Sequence, residues 1–350
     1  MQKDHQDLRR DVENILRAAG SSEQEAEIVA DHLVMANLSG HDSHGVGMLP
    51  HYLQNVRLGV LHPNRHVRKV KQDGSILVFD GEGGYGQVVA REATEQSIAV
   101  ARETGLAVAA LRNAHHIGRV GTYGEICADA GLVSLHFVNV TGHRPLVAPH
   151  RGSDARYATN PICISLPAMG VEEQIVLDMA TSKVALGKMR VAHNRGETVK
   201  DGLLIDAAGQ PTNDPGVMFS DDMGALLPIA GHKGYGLAMM CELLAGAIGG
   251  GGTIQPGNKR DTRIINNMLM IVIDPLRLTD SDYIATEMRA MTDYARQSPP
   301  GDGVSAVLMP GDPEREQRQS RSEDGIYIED ETWRQISEAA REFGVRTDLA

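Results

Sequence analysis

The sequence has few of the features that mark membrane, secreted or nucleic-acid-binding proteins. No apolar run approaches the roughly twenty residues that a membrane-spanning helix needs, and the N-terminus, MQKDHQDLRRDVENILRAAG, is too charged for a secretory signal. The formal net charge is -12, which disfavours binding to a phosphate backbone because such binding needs clustered Lys and Arg. We therefore expect a cytoplasmic protein with neither a membrane nor a nucleic-acid partner.

Cysteine is also scarce, and the usual metal-binding spacings are missing. Cys127, Cys163 and Cys241 are odd in number, widely spaced and set in apolar stretches. This pattern favours reduced packing thiols over disulfides, with a reactive thiol as the minor alternative. The sequence contains no HExxH, CxxC or facial-triad spacing, so it predicts no resident metal.

The 350 residues suffice for one large domain or two moderate ones. Helical, charge-rich patterns occupy the first forty residues or so and the tail, whereas β-rich and helical segments alternate between them, which predicts an α/β domain beside helices from both chain ends. Ser22 and Glu25 resemble a capping box. We expect an N-terminal helical segment over 1–70, an α/β domain over 71–311 and a C-terminal helical segment over 312–350. Strands are predicted at SILVF, LAVAAL, LVSLHFV, ICISLP, QIVLD and MLMIVID, and further helices over 88–103, 124–130, 182–195, 233–248 and 280–296.

Two stretches of the sequence are rich in glycine, and each predicts a local structure. Gly81, Gly83 and Gly86 spell G-x-G-x-x-G between a strand-like and a helix-like segment, as a dinucleotide fingerprint does. In a Rossmann fold an acidic residue ends the second strand and holds the ribose, but LAVAAL runs into Arg112. We therefore favour a glycine-rich turn, with a Rossmann site as the alternative. The four glycines at 249–252 predict a mobile loop without regular structure.

Two histidine-rich segments carry the densest polar chemistry. His41 and His44 flank an acidic residue and Ser43, which is typical of a loop that presents side chains, and His115 and His116 end a predicted strand, where α/β domains place ligand-contacting loops. Imidazole suits a general acid because its ordinary pKa lies near neutral pH. The alternatives are helix-terminus histidines bonded to backbone, or a metal-dependent hydrolase or lyase with these four histidines as ligands.

A third motif, GHKGYG at 231–236, opens a predicted helix. Backbone N–H groups at a helix N-terminus, together with Lys233, have the chemistry to receive a pyrophosphate. A glycine-padded helix start is the alternative interpretation.

Six short motifs occur in order along the chain, namely DSHG at 42–45, HHIG at 115–118, TNP at 159–161, LDMATS at 177–182, HKGYGL at 232–237 and LMPGD at 308–312. Together they resemble the malate/L-lactate dehydrogenase type 2 family, and HDSHGVGMLP is most similar to its hydroxycarboxylate dehydrogenase B branch. The resemblance spans nearly the whole chain. It implies an oxidoreductase that moves a hydride between NAD, or NADP, and a 2-hydroxy or 2-oxo carboxylic acid that is hydroxyphenylpyruvate-, hydroxypyruvate- or lactate-like. It also implies a non-Rossmann NAD(P)-binding α/β domain with a mixed sheet, and a homodimer.

The resemblance also assigns roles to residues. A proton relay is implied on Ser43, His44 and Asp178, whereas other members of the family give the acid/base role to the histidine that matches His116, and the sequence leaves both open. The implied cofactor contacts are His116, Asn160, Asp178, Ala180, Thr181, Lys233, Pro310 and Gly311.

The substrate side departs from the family pattern at one position. Many members carry Arg four residues after the DSHG histidine to grip the substrate carboxylate, but this chain has Met48 there. Met48 leaves room for a bulky apolar group, and Tyr52 matches the family's pocket tyrosine. We expect another cation to bind the carboxylate, with Arg119 favoured because it closely follows His116. Capping of the next helix, or contact with cofactor phosphate, are the other interpretations of Arg119.

Overall fold

The computed structural model describes residues 1–258 and 263–347, so the last three residues of the predicted C-terminal segment lie outside the described residues. A π-helical segment, Glu242–Ile248, continues α7. The α-helices are α1 (His5–Ala18), α2 (Glu23–Leu38), α3 (Leu49–Arg57), α4 (Gly86–Thr104), α5 (Gly121–Asp129), α6 (Leu186–Asn194), α7 (His232–Cys241), α8 (Ser281–Arg296), α9 (Asp312–Asp324) and α10 (Asp330–Arg341). The strands are β1 (Gln2–Lys3), β2 (Arg68–Asp73), β3 (Ile76–Asp80), β4 (Leu106–His115), β5 (Val133–Thr141), β6 (Ile162–Leu166), β7 (Ile175–Met179), β8 (Leu204–Ile205), β9 (Pro211–Thr212), β10 (Ala225–Leu226), β11 (Ile265–Ile273) and β12 (Ile326–Tyr327).

A mixed seven-stranded sheet forms the centre of the molecule, in the order β2-β3-β4-β11-β5-β6-β7. β3 and β4 run parallel and are joined through α4, whereas the other neighbouring pairs run antiparallel. Apolar side chains of α4 and α5 pack against β4 and β11 in one buried core. The predicted α/β class and all six predicted strands are confirmed.

The helices of the two chain ends share a second core. Residues of α1, α2 and α3 pack with α10, and β1 pairs with β12. Burial of this shared apolar surface joins the ends of the chain, although the division into segments 1–70, 71–311 and 312–350 stays a prediction. The largest fully buried members of this core include Leu8, Ile15, Leu16, Leu33, Tyr52 and Trp333.

The structure corrects the sequence prediction at several element ends. The predicted helix over 182–195 begins only at Leu186, because the backbone N–H of Lys183 bonds the carbonyl of Leu227 instead of a helical turn. The capping box at α2 is half formed. Ser22 Oγ accepts from the Glu25 N–H at 3.2 Å, but the Glu25 carboxylate accepts from the N–H of Asn64 at 2.8 Å and not from that of Ser22.

Both glycine-rich stretches allow close packing. A Cβ on Gly86 would lie 2.2 Å from the carbonyl oxygen of His115, and one on Gly81 would lie 3.0 Å from Ala114 Cα. The G-x-G-x-x-G turn therefore packs directly on the end of β4. Likewise, a Cβ on Gly251 would lie 2.0 Å from Asn267 Oδ1, so the tetraglycine, which has no regular structure as predicted, lies tightly against β11.

The three cysteines are free and buried. Burial raises the pKa of the Cys127 and Cys241 thiols to about 12, which keeps both protonated at neutral pH. Among the described residues, no helix is both long and apolar enough to cross a membrane.

Candidate active site

The turn that carries His44 is fixed by an asparagine at the end of α2. Asn37 Oδ1 accepts from the N–H of Val46 at 2.8 Å, and its Nδ2 donates to Asp42 Oδ1 at 2.6 Å. A Cβ on Gly45 would lie 2.1 Å from Asn37 Oδ1, so the turn requires glycine there. This packing fixes the turn that carries His44 between α2 and α3.

A chain of hydrogen bonds joins four polar side chains from three parts of the molecule, of which His44 is half-buried and the other three are buried. Gln87 Nε2 donates to Tyr52 Oη at 2.7 Å, and Tyr52 Oη lies 2.6 Å from His116 Nδ1. His116 Nε2 in turn lies 3.2 Å from His44 Nδ1, with the two rings stacked at 5.2 Å. With Gln87 donating, the Tyr52 hydroxyl donates to His116 Nδ1. The hydrogen of a neutral His116 is then on Nε2, facing His44.

Burial sets the protonation of this chain. It lowers the pKa of His44 to about 4, with the charges of His41 and Arg119 adding to the effect. Burial likewise lowers the pKa of His116 well below its ordinary value and raises that of Tyr52. Near neutral pH both rings are therefore neutral, and Tyr52 keeps its proton.

The neighbouring histidines bind other partners. His115 Nε2 lies 2.8 Å from Asn55 Nδ2, which also lies 3.1 Å from His51 Nε2. His41 Nε2 lies 3.1 Å from Glu314 Oε1. Across the described ranges, no three His, Cys, Asp or Glu side chains are grouped as metal ligands, so the four histidines of the metal hypothesis do not form one ligand set.

Arg119, the predicted carboxylate anchor, is enclosed by acidic groups. One guanidinium nitrogen donates to Glu125 Oε2 at 2.9 Å, Nε lies 3.4 Å from Asp178 Oδ2, and the side chain is 2% exposed. Asp178 Oδ2 also accepts from the N–H of Gly121 at 2.9 Å. Burial raises the pKa of Asp178, although Arg119 opposes that shift. The guanidinium thus already binds two carboxylates.

The other predicted catalytic and substrate residues lie near the histidine pair without a direct link to Asp178. A Cβ on Gly187 of α6 would lie 3.0 Å from Ser43 Cβ, and Met48 is half-buried against the helical core. Within the described part of the chain, no direct hydrogen bond joins Ser43, His44 and Asp178. The predicted relay through these three residues therefore stays a prediction.

The residues predicted to contact the cofactor come together beside β7. Thr181 Oγ1 donates to the carbonyl of Asn160 at 3.0 Å, and Asn160 Nδ2 donates to the Ala238 carbonyl of α7 at 3.1 Å. These contacts bring the TNP, LDMATS and HKGYGL motifs into one region. Ala180 is half-buried beside Thr181, and Lys233 is exposed in the first turn of α7.

The LMPGD motif joins the same region from the other side. The carbonyl of Pro310 accepts from the N–H of Val176 in β7 at 3.1 Å, and Gly311, with a φ of 99°, precedes α9. Only glycine adopts such a backbone angle without strain. Asp178, in β7 itself, connects this region through Arg119 to the loop that follows His116.

Sequence reasoning missed several residues that order the site, including Asn37 and Gln87. Gln87 had one usable signal, since it stands between Gly86 and the apolar Val88 at the start of a buried helix face. Asn37 had none, because a single polar residue near a helix end usually faces solvent.

Comparisons with known proteins identify the family of this chain. The chain matches the family model for malate/L-lactate dehydrogenase over residues 4–337. It is 43% identical over 344 residues to hydroxycarboxylate dehydrogenase B of Escherichia coli K12, covering 98% of this chain and 94% of that protein. L-lactate dehydrogenase of Cupriavidus necator is 39% identical, with 93% of each chain covered.

A solved structure is similar over almost the same length. A candidate malate/lactate dehydrogenase from E. coli superposes with a TM-score of 0.94 at 42% identity, covering 99% of this chain and 96% of that one. The family implies a nicotinamide cofactor and small hydroxy or oxo acids as substrates, and the metal-dependent hydrolase or lyase is not favoured. On the family model and these relatives, the chain belongs to the malate/L-lactate dehydrogenase family and is an oxidoreductase of hydroxy acids.

Proposed function

We propose that this protein is an NAD(P)-dependent dehydrogenase of 2-hydroxy and 2-oxo carboxylic acids, in which His44 and His116 act as one acid/base unit. The hydrogen-bonded chain from Gln87 to His44 carries this proposal. Its direction leaves Nε2 of His44 as the ring nitrogen that faces no other member of the chain. That nitrogen is the one we assign to the substrate oxygen.

The chain supports a shared role for the two rings. For reduction of an oxo acid, a proton must reach the carbonyl oxygen as it becomes a hydroxyl. His44 Nε2 gives this proton from the imidazolium form, and His116 stabilises that form when its own Nε2 accepts from His44 Nδ1. This requires the His116 hydrogen to move to Nδ1 or to leave the ring. In oxidation, Nε2 of neutral His44 receives the hydroxyl proton in the tautomer whose hydrogen is on His44 Nδ1. That hydrogen is donated to His116 Nε2, and the His116 hydrogen is then on Nδ1.

The residues beside β7 fit a nicotinamide dinucleotide. NAD(P)H, when bound, supplies the hydride. Asn160 Oδ1 is a buried acceptor without a partner in the described residues, which suits a ligand donor. Lys233 is an exposed cation at the start of α7, which suits a phosphate. We propose that Asn160, Asp178, Ala180, Thr181, Lys233, Pro310 and Gly311 hold the cofactor, together with His116.

A non-Rossmann binding mode is part of this proposal. The fingerprint glycines Gly81 and Gly86 are packed against β4, which leaves no room there for a close approach of pyrophosphate. In the described central sheet only β3 and β4 pair in parallel, unlike the parallel sheet of a doubly wound nucleotide fold.

We further propose a cytoplasmic homodimer. Exposed apolar side chains run along α7 and its π-helical continuation, which is typical of an interface. The free, buried cysteines suit a reducing compartment. Sedimentation or light scattering tests the dimer. The apolar side chains are Leu237, Met240, Leu243 and Ile248.

Two cations are candidates for the substrate carboxylate. Arg119, the sequence prediction, is paired with Glu125 and Asp178, which favours a role in ordering Asp178. Arg190 of α6 is exposed and lies three residues after Gly187, on the helix face that meets Ser43.

The surroundings of His51 add support for Arg190. Burial is the main cause that lowers the pKa of His51, and the charge of Arg190 contributes. His51 lies one helical turn after Met48, the position of the family's arginine. Arg119→Lys and Arg190→Met separate the candidates, because loss of the anchor raises the KM of every 2-oxo acid and leaves the Kd of NAD(P)H unchanged.

The proposed function is tested with a panel of 2-oxo acids, NADH and NADPH, on protein treated with a chelator. We expect turnover of at least one acid with one cofactor, measured as the loss of absorbance of the reduced cofactor. Absence of turnover over the panel, with activity restored by Zn²⁺, would instead identify the metal-dependent alternative.

A further inference from the structure

Glu242 is a buried carboxylate that the acid/base chain does not use. It begins the π-helical segment after α7, a feature found often at functional sites, and it is 4% exposed. Its Oε1 accepts from Asn139 Nδ2 at 3.0 Å and from the N–H of Ile254 at 2.7 Å, and its Oε2 accepts from Asn160 Nδ2 at 2.7 Å. The carboxylate is therefore held by uncharged donors, and no cation pairs with it in the described residues.

These bonds determine the orientation of the Asn160 amide. Its Nδ2 donates to both Glu242 Oε2 and the carbonyl of Ala238, so both amide hydrogens are used. A flipped amide would turn its oxygen toward these two acceptors, which is unfavourable. Asn160 is 0% exposed, has a φ of 29°, and its Oδ1 has no partner in the described part of the chain.

An unpaired buried acceptor is costly, so its presence in an otherwise satisfied network points to a ligand donor. The same network reaches the acid/base pair. The carbonyl of Asn139 accepts from Asn266 Nδ2 at 3.1 Å, and Asn266 Oδ1 accepts from the N–H of Ile117, next to His116, at 3.0 Å. The nicotinamide ring must react beside that pair, and its carboxamide offers an N–H donor.

We propose that Glu242 is a positioning residue, which locks the Asn160 amide so that Oδ1 accepts a hydrogen bond from the carboxamide N–H of the nicotinamide. This inference rests on the proposed function. It predicts that the protein distinguishes its cofactor from the reduced 3-acetylpyridine analogue, in which a methyl ketone replaces the carboxamide and no N–H remains.

The proposal is tested by measuring the equilibrium binding of the reduced cofactor and of its acetylpyridine analogue to the free protein. Cofactor fluorescence reports the binding. Asn160→Ala should weaken binding of the reduced cofactor about tenfold or more and leave the Kd of the acetylpyridine analogue nearly unchanged. Glu242→Gln should act in the same way, because one amide oxygen cannot serve three donors and the Asn160 amide is then free to flip. Combining the two substitutions should add little to either alone.

Asn139→Ala is the matched control, since it removes a donor from the other Glu242 oxygen. Thermal unfolding should report a loss of stability, while the preference for the carboxamide cofactor remains. If Glu242→Gln does not fold, Asn160→Ala alone still decides the matter. Equal weakening of both cofactors by Asn160→Ala would overturn the proposal, because it would place Asn160 on a shared group such as a ribose hydroxyl.

Two other results separate the inference from the proposed function. Wild-type protein that binds neither NADH nor NADPH contradicts the proposed function itself. Wild-type protein that binds its cofactor, but whose Asn160→Ala and Glu242→Gln variants bind it unchanged, contradicts only the positioning role.

Discussion

Two largely buried polar regions lie side by side in this molecule, and they differ in whether they contain charged side chains. The chain of Gln87, Tyr52, His116 and His44 contains no carboxylate and no guanidinium, and burial keeps its imidazoles neutral. The neighbouring cluster instead holds two guanidiniums, Arg119 and Arg318, against the carboxylates of Glu125 and Asp178. These four charges cancel.

The difference indicates which region takes part in proton transfer. In the ion cluster each charge already has its partner, so a proton gained or lost there would leave an unpaired buried charge. In the histidine chain all four side chains are neutral near neutral pH. An anionic substrate is therefore the group that makes protonation of the pair favourable, and the two regions divide into a reactive unit and a supporting unit.

The largest expected effect is on the reactive unit. His44→Ala and His116→Ala should each lower kcat by roughly 10²–10⁴, with the Kd of the cofactor near normal, and the double variant should lose little more than either single one. His41→Ala, which removes a ring bonded to Glu314, is the control and should retain most activity. If each single substitution lowers kcat by less than tenfold, neither histidine has the proposed role.

The supporting unit should show its effect in stability. Arg119→Met leaves Asp178 and Glu125 with an uncompensated buried charge, so the free energy of unfolding should fall by about 3–5 kcal/mol, measured by urea denaturation. Arg334→Met removes an exposed ion pair with Glu331 and should change stability little. Equal effects of the two substitutions would contradict the contrast between the regions.

The pH dependence should differ between the two directions of the reaction. The pKa of His44 is lowered to about 4 in the free protein, so the protonated form that reduction needs becomes rarer as pH rises. We expect kcat/KM for reduction to fall about tenfold per pH unit above about pH 5, and that for oxidation to stay nearly level. A level profile for reduction between about pH 6 and 8 would argue against this unit as the proton source.

The smallest effect separates two buried tyrosines that pack edge to face, with ring centroids 6.0 Å apart. Tyr52→Phe removes the bonds to Gln87 and His116 and should destabilise the fold by about 1–2 kcal/mol, with lower kcat. The buried Tyr85 hydroxyl bonds neither Gln87 nor His116, so Tyr85→Phe should leave kcat nearly unchanged. Loss of activity in Tyr85→Phe, but not in Tyr52→Phe, would reverse the assignment.

Much of the fold could be predicted from local patterns. Apolar spacing located α1 and α2, and six β-rich segments located strands of the central sheet. The two-residue strands β1, β8, β9, β10 and β12 were missed because they form only through pairing with other parts of the chain. Two longer elements, β2 and α3, were missed for other physical reasons. Residues of β2 are all exposed, so no apolar alternation marks the strand, and α3 begins with Leu49 and Pro50 directly after the histidine motif, where the proline obscured the helix start.

The site was predictable only where residue type alone suggests chemistry. His44 and His116 were selected for their residue type, whereas Tyr52 was selected only through the family resemblance, and the structure joins all three. Gln87 and Glu242 were not, since their roles depend on contacts with residues far away in the chain. Arg119 was selected for its charge, but the partners that occupy its guanidinium are set by packing that the sequence pattern does not reveal.

The most direct test of the account is the proton uptake that accompanies anion binding. The complex of the protein with reduced cofactor is titrated in a calorimeter with oxamate, an unreactive analogue of a 2-oxo acid. Repeating the titration in buffers of different ionisation enthalpy gives the number of protons taken up. We predict about one proton per site near pH 7 in the wild type, and essentially none in His44→Ala or His116→Ala. Tight oxamate binding without proton uptake, or equal uptake in the histidine variants, would contradict the claim that the neutral His44–His116 pair takes up the catalytic proton with the substrate.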